Sequence, residues 1–385
     1  MITIDPASIT DTLRSLVRIN SINPALDASG PGESEIAAWV RARLAGLGLE
    51  TTVHEPVPGR PSVVGRLPGS GAGRSLMLNA HYDTVGVHGM ADPFSGDIRG
   101  GRLYGRGAYD MKGSLAACIG AVEGLVRAGV RPLGDVLVTA VADEEHASLG
   151  STHLASRYRV DGAIVTEPTA LDLCVAHKGF VWIEVVTHGV AAHGSRPDLG
   201  IDANARMGRV LGRIERLAEQ LKTRHRHSLL GPGSVHAATL AGGTGLSTYA
   251  AECRLAIERR TLPGENEAGV ESEIREILAS LEAADPSFRA TIQVLLARPP
   301  FEARRLSPLA EALARAATEV RGTPPRTVGQ TPWMDSAIFS AAGADTIVFG
   351  PDGAGAHAAE EWVDLGSVMR LARILAETVV AYCGT

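Results

Sequence analysis

Apolar residues along this chain recur with two different periods, and the places where the period changes divide it. Asp5-Pro6 supplies a capping side chain and a first-turn proline ahead of Ile9, Leu13, Leu16 and Val17, and Ile36, Val40, Leu44 and Leu47 form a second helical stripe that stops before Gly48. Strand-like runs follow at 62–67 and 75–80. Leu115, Ile119, Val122 and Val126 mark a buried helix face, and 135–141 and 162–166 predict apolar strands covered on both sides. From Phe180 the pattern becomes FVWIEVVTHG, a strand with one exposed face. It is followed by a helix over about 201–221, strands at 234–240 and 252–258, a helix through Ile274, Ile277 and Leu281, and a strand at 290–296. The first pattern returns near Arg298, with a strand at 345–349 and a helix through Leu371, Ile374 and Val379. The expected fold class is α/β: a mixed-sheet domain in two parts, 1–179 and 297–385, interrupted by a smaller α+β domain at 180–296.

At 385 residues the chain exceeds what one core usually supports, which agrees with two domains. Its 37 basic and 43 acidic residues give a formal charge of −6 without a basic stripe, which argues against nucleic acid as a partner. The basic stretch KTRHRH at 222–227 reads as solvated surface of the insert. The opening MITIDPASITDTLRSLVRIN has no signal-peptide core and no stretch reaches membrane-spanning length, so a cytoplasmic protein without a membrane partner is expected. Cys118, Cys174, Cys253 and Cys383 are far apart with no C-x-x-C pair, which predicts core packing instead of a disulfide framework or thiolate site.

Candidate chemistry sits where the predicted strands end. His81 follows SLMLNA, Glu144-Glu145 follows DVLVTAVAD, Glu167 follows GAIVT, and His357 comes after DTIVFG within PDGAGAH. Asp110 stands between the Gly-rich GRGAY and a helix. In open α/β sheets the carboxyl ends of strands share one edge, so these side chains are expected to converge. Imidazole and carboxylate without thiolate suit zinc, or cobalt or manganese. One carboxylate more than a single tetrahedral ion needs fits a bridged pair of ions, with another carboxylate free to move a proton. Singly, each residue has a bland reading: a Glu-Glu pair after a strand is commonly surface charge. The remaining histidines, His88 and His177 among them, read as surface or packing residues, with His146 of interest because it follows the Glu pair. GRGAYDMKG lacks the spacing of a dinucleotide loop, and no G-x-S-x-G elbow is present.

The segments LNAHYDTV, GRLYGRGAYDMKGSLAA, VADEEHASLGS, VTEPT, HGSRPDLGIDAN, ERRTLPGE and GAGAHAAEEWV, in this order, resemble the co-catalytic zinc hydrolases that include acetylornithine deacetylase, succinyl-diaminopimelate desuccinylase, aminoacylase and the glutamate carboxypeptidases. The resemblance implies a di-zinc amidohydrolase, with the insert as lid and dimerisation domain of a homodimer. Carried over by position, His81, Asp110 and Glu167 would hold one Zn2+ and Asp110, Glu145 and His357 the other, with Asp110 as bridge. Asp83 would orient His81 and Glu144 would be general acid/base. His193, in VAAHGSRP, matches a lid histidine that reaches the substrate carbonyl of the partner subunit. Arg260, in E-x-R-x-x-P, matches the arginine that holds a substrate carboxylate. The implied substrate is an N-acyl amino acid, or a short peptide in a carboxypeptidase or dipeptidase alternative; a binding protein that has lost its chemistry would carry degenerate ligands, and these six positions are intact. The chain departs from the pattern at Ser247-Thr248-Tyr249-Ala250, where many members have Asn-Val-Val-Pro, and at Tyr109, where smaller residues are usual. GQTPWMDSAIF at 329–339 resembles the substrate-side loop only loosely, which leaves Asp335 without an assigned role.

Overall fold

The computed structural model describes residues 2–87 and 89–385; His88 lies outside them. The chain folds as two units, one of Met1–Val175, Ala303–Val328 and Met334–Thr385, the other of Ala176–Glu302 and Gly329–Trp333. Among the described residues no helix is long and apolar enough to cross a membrane.

The first unit is built on a mixed sheet with a parallel middle. Strand Leu76–His81 lies between Val136–Val141 and Gly162–Val165, and the last pairs in turn with Asp345–Val348. Every residue of these four strands is buried, as continuous apolar runs require when helices cover both faces. Antiparallel neighbours flank them: Ser62–Leu67 and then Glu50–His54 on one side, Leu173–His177 on the other. Helix Pro6–Arg18 starts where its sequence dictates, because Asp5 accepts from the amides of Ala7 and Ser8 while Pro6 occupies the first turn. It packs with Gly113–Arg127 and Leu365–Cys383 in a core that includes Leu13, Leu16, Leu115, Ile119, Leu371 and Leu375. Val126, expected on the same buried face, is exposed: it lies in the last turn, where the helix leaves the core for the bend at Gly129. Ile119 is fully buried, so Ile119→Ala is expected to cost about 2–5 kcal/mol of unfolding free energy. A lower urea midpoint at unchanged slope would register it; a loss below about 1 kcal/mol would contradict tight packing there.

A second sheet in this unit joins distant segments. Gly353–Ala354, Trp362–Asp364, Arg102–Tyr104 and Asp97–Arg99 pair in that order, with Trp362 opposite Tyr104 and Val363 opposite Leu103. It brings the loop after Ala354 beside the loop after Tyr104.

The other unit has a four-stranded antiparallel sheet, ordered Ser234–Gly242, Glu252–Thr261, Gly179–His188 and Ala290–Arg298. Helices Ala203–Arg224 and Glu267–Ala284 bury their apolar stripes, including Val210, Ile214, Leu217, Ile274 and Leu278, against Ile183, Val185, Leu255 and Ile257. Trp182, Leu240 and Leu295 remain exposed, which explains the alternation read at the insert's first strand. The helix runs on to Arg224 and so takes in the start of the basic stretch, whose residues are exposed apart from the half-buried His227. All four cysteines are buried, and among the described residues none forms a disulfide.

Candidate metal centre

Parallel pairing sets the carboxyl ends of four strands on one edge, and this edge collects the polar residues. His81 ends its strand, Glu144 and Glu145 follow Val136–Val141, Glu167 follows Gly162–Val165, and His357 is carried by the loop after Asp345–Val348. Asp110 comes from the segment Ala108–Lys112 that feeds helix Gly113–Arg127, and its peptide to Met111 is cis. His357 and Asp143, the residue before Glu144, both have positive φ, at 62° and 70°. Such conformations are costly outside glycine and persist where the surroundings hold them.

The side chains meet around Asp110. Its Oδ1 is 3.1 Å from His81 Nε2 and its Oδ2 is 3.3 Å from His357 Nε2, so one carboxylate faces both imidazoles. His81 Nε2 also lies 3.5 Å from Glu167 Oε1 and 3.9 Å from Glu144 Oε2, while His357 Nε2 is 3.0 Å from Glu145 Oε2. Among the described residues two sets of ligand atoms are close enough to share an ion: His81, Glu144 and Glu167, and His81, Asp110 and Glu145. Glu144, which the resemblance leaves off the metal, therefore sits within reach of the first set.

Charge in this cluster is unbalanced without cations. Burial, with the neighbouring Glu167, Asp335 and Glu145, pushes the Glu144 carboxyl well above its ordinary range; burial with Asp110 and Glu145 does the same to Glu167. Glu145 is pushed up to about 7 by burial and by Asp110. Burial opposes the charge of Asp110, yet hydrogen bonds from His357 and His81 hold its pKa below the usual carboxylate value. Those bonds to Asp110 and Glu145 raise His357 to about 10. Burial disfavours protonated His81, but Glu167, Asp110 and Glu144 outweigh it and raise its pKa well above the usual imidazole value. The protein alone holds these groups together by retaining protons that metal ions would displace, and the nitrogen-and-oxygen donor set is one that zinc accepts.

Asp83 works beneath the cluster. Its main-chain oxygen is 3.0 Å from His81 Nδ1, with the nearest carboxylate oxygen at 3.6 Å. The carboxylate accepts instead from the amides of Glu144 at 3.0 Å and Glu145 at 3.2 Å, so Asp83 contacts the imidazole through its main chain and the Glu pair through its side chain. Asn23 Nδ2 bridges Asp83 and Asp143 at 2.8 and 3.0 Å, and Asp143 takes a 2.7 Å contact from Arg60, whose other bonds form a fork on Glu33. Read in sequence, Asn23, Asp143, Arg60 and Glu33 carry no assigned role. Glu33 stands at the N-cap of helix Ser34–Gly46 without capping it, and no local signal marks Arg60 as its buried partner.

The remaining candidates are placed as follows. Asp335 is buried, accepts from Ser151, and is raised to about 6, chiefly by burial. Tyr109 lays its ring against the backbone of Gly353, where a Cβ would come within 2.5 Å of it. His146 is largely exposed, 3.8 Å from Asp143, and His177 is buried against Phe301. His193 and Arg260 belong to the other unit. The Ser195 amide, 3.2 Å from His193 Nδ1, donates to it, and the Ser195 hydroxyl lies 2.8 Å from the same atom, so the ring's proton resides on Nε2. Arg260 Nε contacts Glu258 at 2.7 Å, and its guanidinium stacks over Phe180.

Known proteins are similar to this chain in sequence and in fold. Residues 77–381 match peptidase family M20/M25/M40. An acetylornithine deacetylase from Myxococcus xanthus is 32% identical over 327 residues, 82% of each chain, and one from Vibrio vulnificus is 28% identical over 385 residues, covering 98% of this chain and 99% of that one. Among solved structures, aminopeptidase PepT from Bacillus cereus superposes with a TM-score of 0.81 at 17% identity, covering 98% and 99% of the two chains. A dinuclear metal-binding M20 peptidase from Bacillus subtilis gives 0.75 at 16% identity, covering 99% of both. With its His–carboxylate clusters assembled on the sheet edge, the chain is a metal-dependent hydrolase of amide or peptide bonds in amino-acid derivatives, and it belongs to peptidase family M20/M25/M40.

Proposed function

We propose that the protein is a di-zinc deacylase that cleaves the amide of an N-acyl amino acid, with an acetylornithine-type substrate as the leading case. The observation that carries the di-metal part is Asp110, which presents one oxygen to His81 and the other to His357. His81, Asp110 and Glu167 would hold one ion and Asp110, Glu145 and His357 the second. The deacylase part is supported by the two relatives named as acetylornithine deacetylases, which match most of the chain.

Bound there, the cations would polarise the scissile carbonyl and make a water more acidic. Glu144 would take the proton of that water and deliver it to the leaving nitrogen. Burial raises its pKa above the ordinary carboxylate range, which makes it a stronger base toward that water. Asp83 keeps Glu144 and Glu145 in place through their amides. His193, with its proton on Nε2, would donate to the developing oxyanion, and Arg260 would grip the free carboxylate through its guanidinium fork. The same reading makes the enzyme a homodimer, in which His193 acts on the partner's substrate.

A panel of N-acetyl and N-succinyl amino acids set against dipeptides, assayed with Zn2+ or Co2+, tests the substrate class. The expected result is a kcat/KM for the preferred N-acyl amino acid at least about tenfold above any dipeptide, a discrimination of about 1.4 kcal/mol. Faster cleavage of dipeptides would make the enzyme a peptidase of the same family.

A further inference from the structure

A buried ion pair, Arg106 with Glu361, is hydrogen-bonded to the backbone at Asp110. Glu361 is 1% exposed and Arg106 2% exposed. Glu361 Oε1 accepts from the amides of Tyr109 at 2.9 Å and Asp110 at 3.0 Å. Its Oε2 accepts from the Gly107 amide at 3.0 Å and from Arg106 Nη1 at 2.6 Å. Four donors thus converge on two oxygens, and the side chain serves purely as an acceptor. Arg106 spends its other nitrogens on main-chain oxygens, Nε on Gly86 at 3.2 Å and Nη2 on Ala358 at 3.0 Å, the latter beside His357. The pair therefore ties the backbone of the Asp110 segment to the loop that carries His357, and neither residue belongs to the sets of ligand atoms that could share an ion.

We propose that Glu361, clamped by Arg106, is a positioning residue that fixes the separation of Asp110 and His357 and thereby sets the affinity for the second cation. The proposal rests on the di-metal reading above. A metal site tolerates ligand displacements of only about 0.2 Å, and backbone freedom at Asp110 exceeds that once its amide loses an acceptor. Groups that orient ligands in this way are worth about 10–100-fold in metal affinity or activity. A glutamine is the informative replacement. It keeps the shape, but its NH2 would face two existing donors, leaving buried N–H groups without acceptors. Aspartate keeps acceptor chemistry and loses only reach.

The test titrates chelator-treated full-length wild type, Glu361→Gln, Glu361→Asp and Arg106→Lys with Zn2+ by calorimetry, alongside Co2+ absorption spectra, circular dichroism and steady-state kinetics. Glu361→Gln is expected to keep its far-ultraviolet spectrum and first ion. Its second ion should bind about 10–100-fold more weakly, with kcat reduced and KM changed by less than about threefold. Glu361→Asp should recover part of the affinity, which a purely structural role would not require. A folded Glu361→Gln that binds two ions with wild-type affinity and turns over normally would overturn the proposal. Should Glu361→Gln fail to fold, Arg106→Lys carries the test: it keeps a cation and loses the fork, so a second ion about tenfold weaker supports the proposal and an unchanged one overturns it. Fewer than two ions in wild type would overturn the di-metal reading and this inference with it, whereas two ions bound as tightly by Glu361→Gln and Arg106→Lys as by wild type would overturn this inference alone.

Discussion

Glu144→Gln is expected to lower kcat by about 10²–10⁴-fold while leaving metal content and fold unchanged. Glutamine matches the shape and cannot take a proton from water. The anchor that places this residue is its main-chain amide, 3.0 Å from Asp83 Oδ1, and survives the change. Asp110, Glu145, Glu167 and the two imidazoles remain to hold the ions. Because Glu144 also falls within ligand distance of His81 and Glu167, metal analysis of the variant separates two roles. Slow turnover with a full complement of ions identifies the proton carrier; slow turnover with an ion lost identifies a ligand. Full activity with zinc bound would refute both.

Stripping the metal with a chelator should reduce turnover to background, and adding Zn2+ or Co2+ should restore it. Rebinding should be linked to protons in a definite direction. With no cation present, Glu145 titrates at about 7 and His357 at about 10, and Glu144 and Glu167 are held above the ordinary carboxylate range. Each ligand must give up its proton to coordinate, so affinity should fall as pH drops through 7, and binding should release about one or more protons per ion. Calorimetry in two buffers of different ionisation heat reads that release directly. Equal heats in both buffers, or full turnover after the metal is gone, would contradict the account.

What could be read from the sequence follows the range of the interactions involved. Strand Ser62–Leu67 and the start of helix Pro6–Arg18 were legible because an apolar run and an Asp-Pro cap are local features. The candidates His81, Glu144, Glu145, Glu167 and His357 were legible because each ends or follows a strand and a parallel sheet gathers such ends, whereas Asp110, which precedes a helix, was marked by its Gly-rich flank and the family resemblance. Glu50–His54 was missed as a half-exposed edge strand with little apolar pattern, and Leu149–Arg157 as a nine-residue helix that Ser148 enters from a left-handed conformation. The small sheet that pairs Trp362 with Tyr104 has no local signature, yet it brings the His357 loop to Asp110. The supporting residues were invisible for a related reason. In sequence, Glu33, Arg60, Arg106 and Glu361 look like any surface charges, and only the fold reveals that each is buried against its partner. Asp83 shows both sides of this: the H-x-D motif implies a group beside His81, and its main-chain oxygen is there at 3.0 Å, but nothing local announces that its carboxylate would hold the amides of Glu144 and Glu145.

The most direct measurement is a crystal structure of the zinc-loaded protein with anomalous data collected above and below the zinc edge. Two anomalous peaks about 3.5–4 Å apart, one beside His81 and one beside His357 with Asp110 between them, are the result this account predicts. A single peak, or two that do not share Asp110, would contradict it.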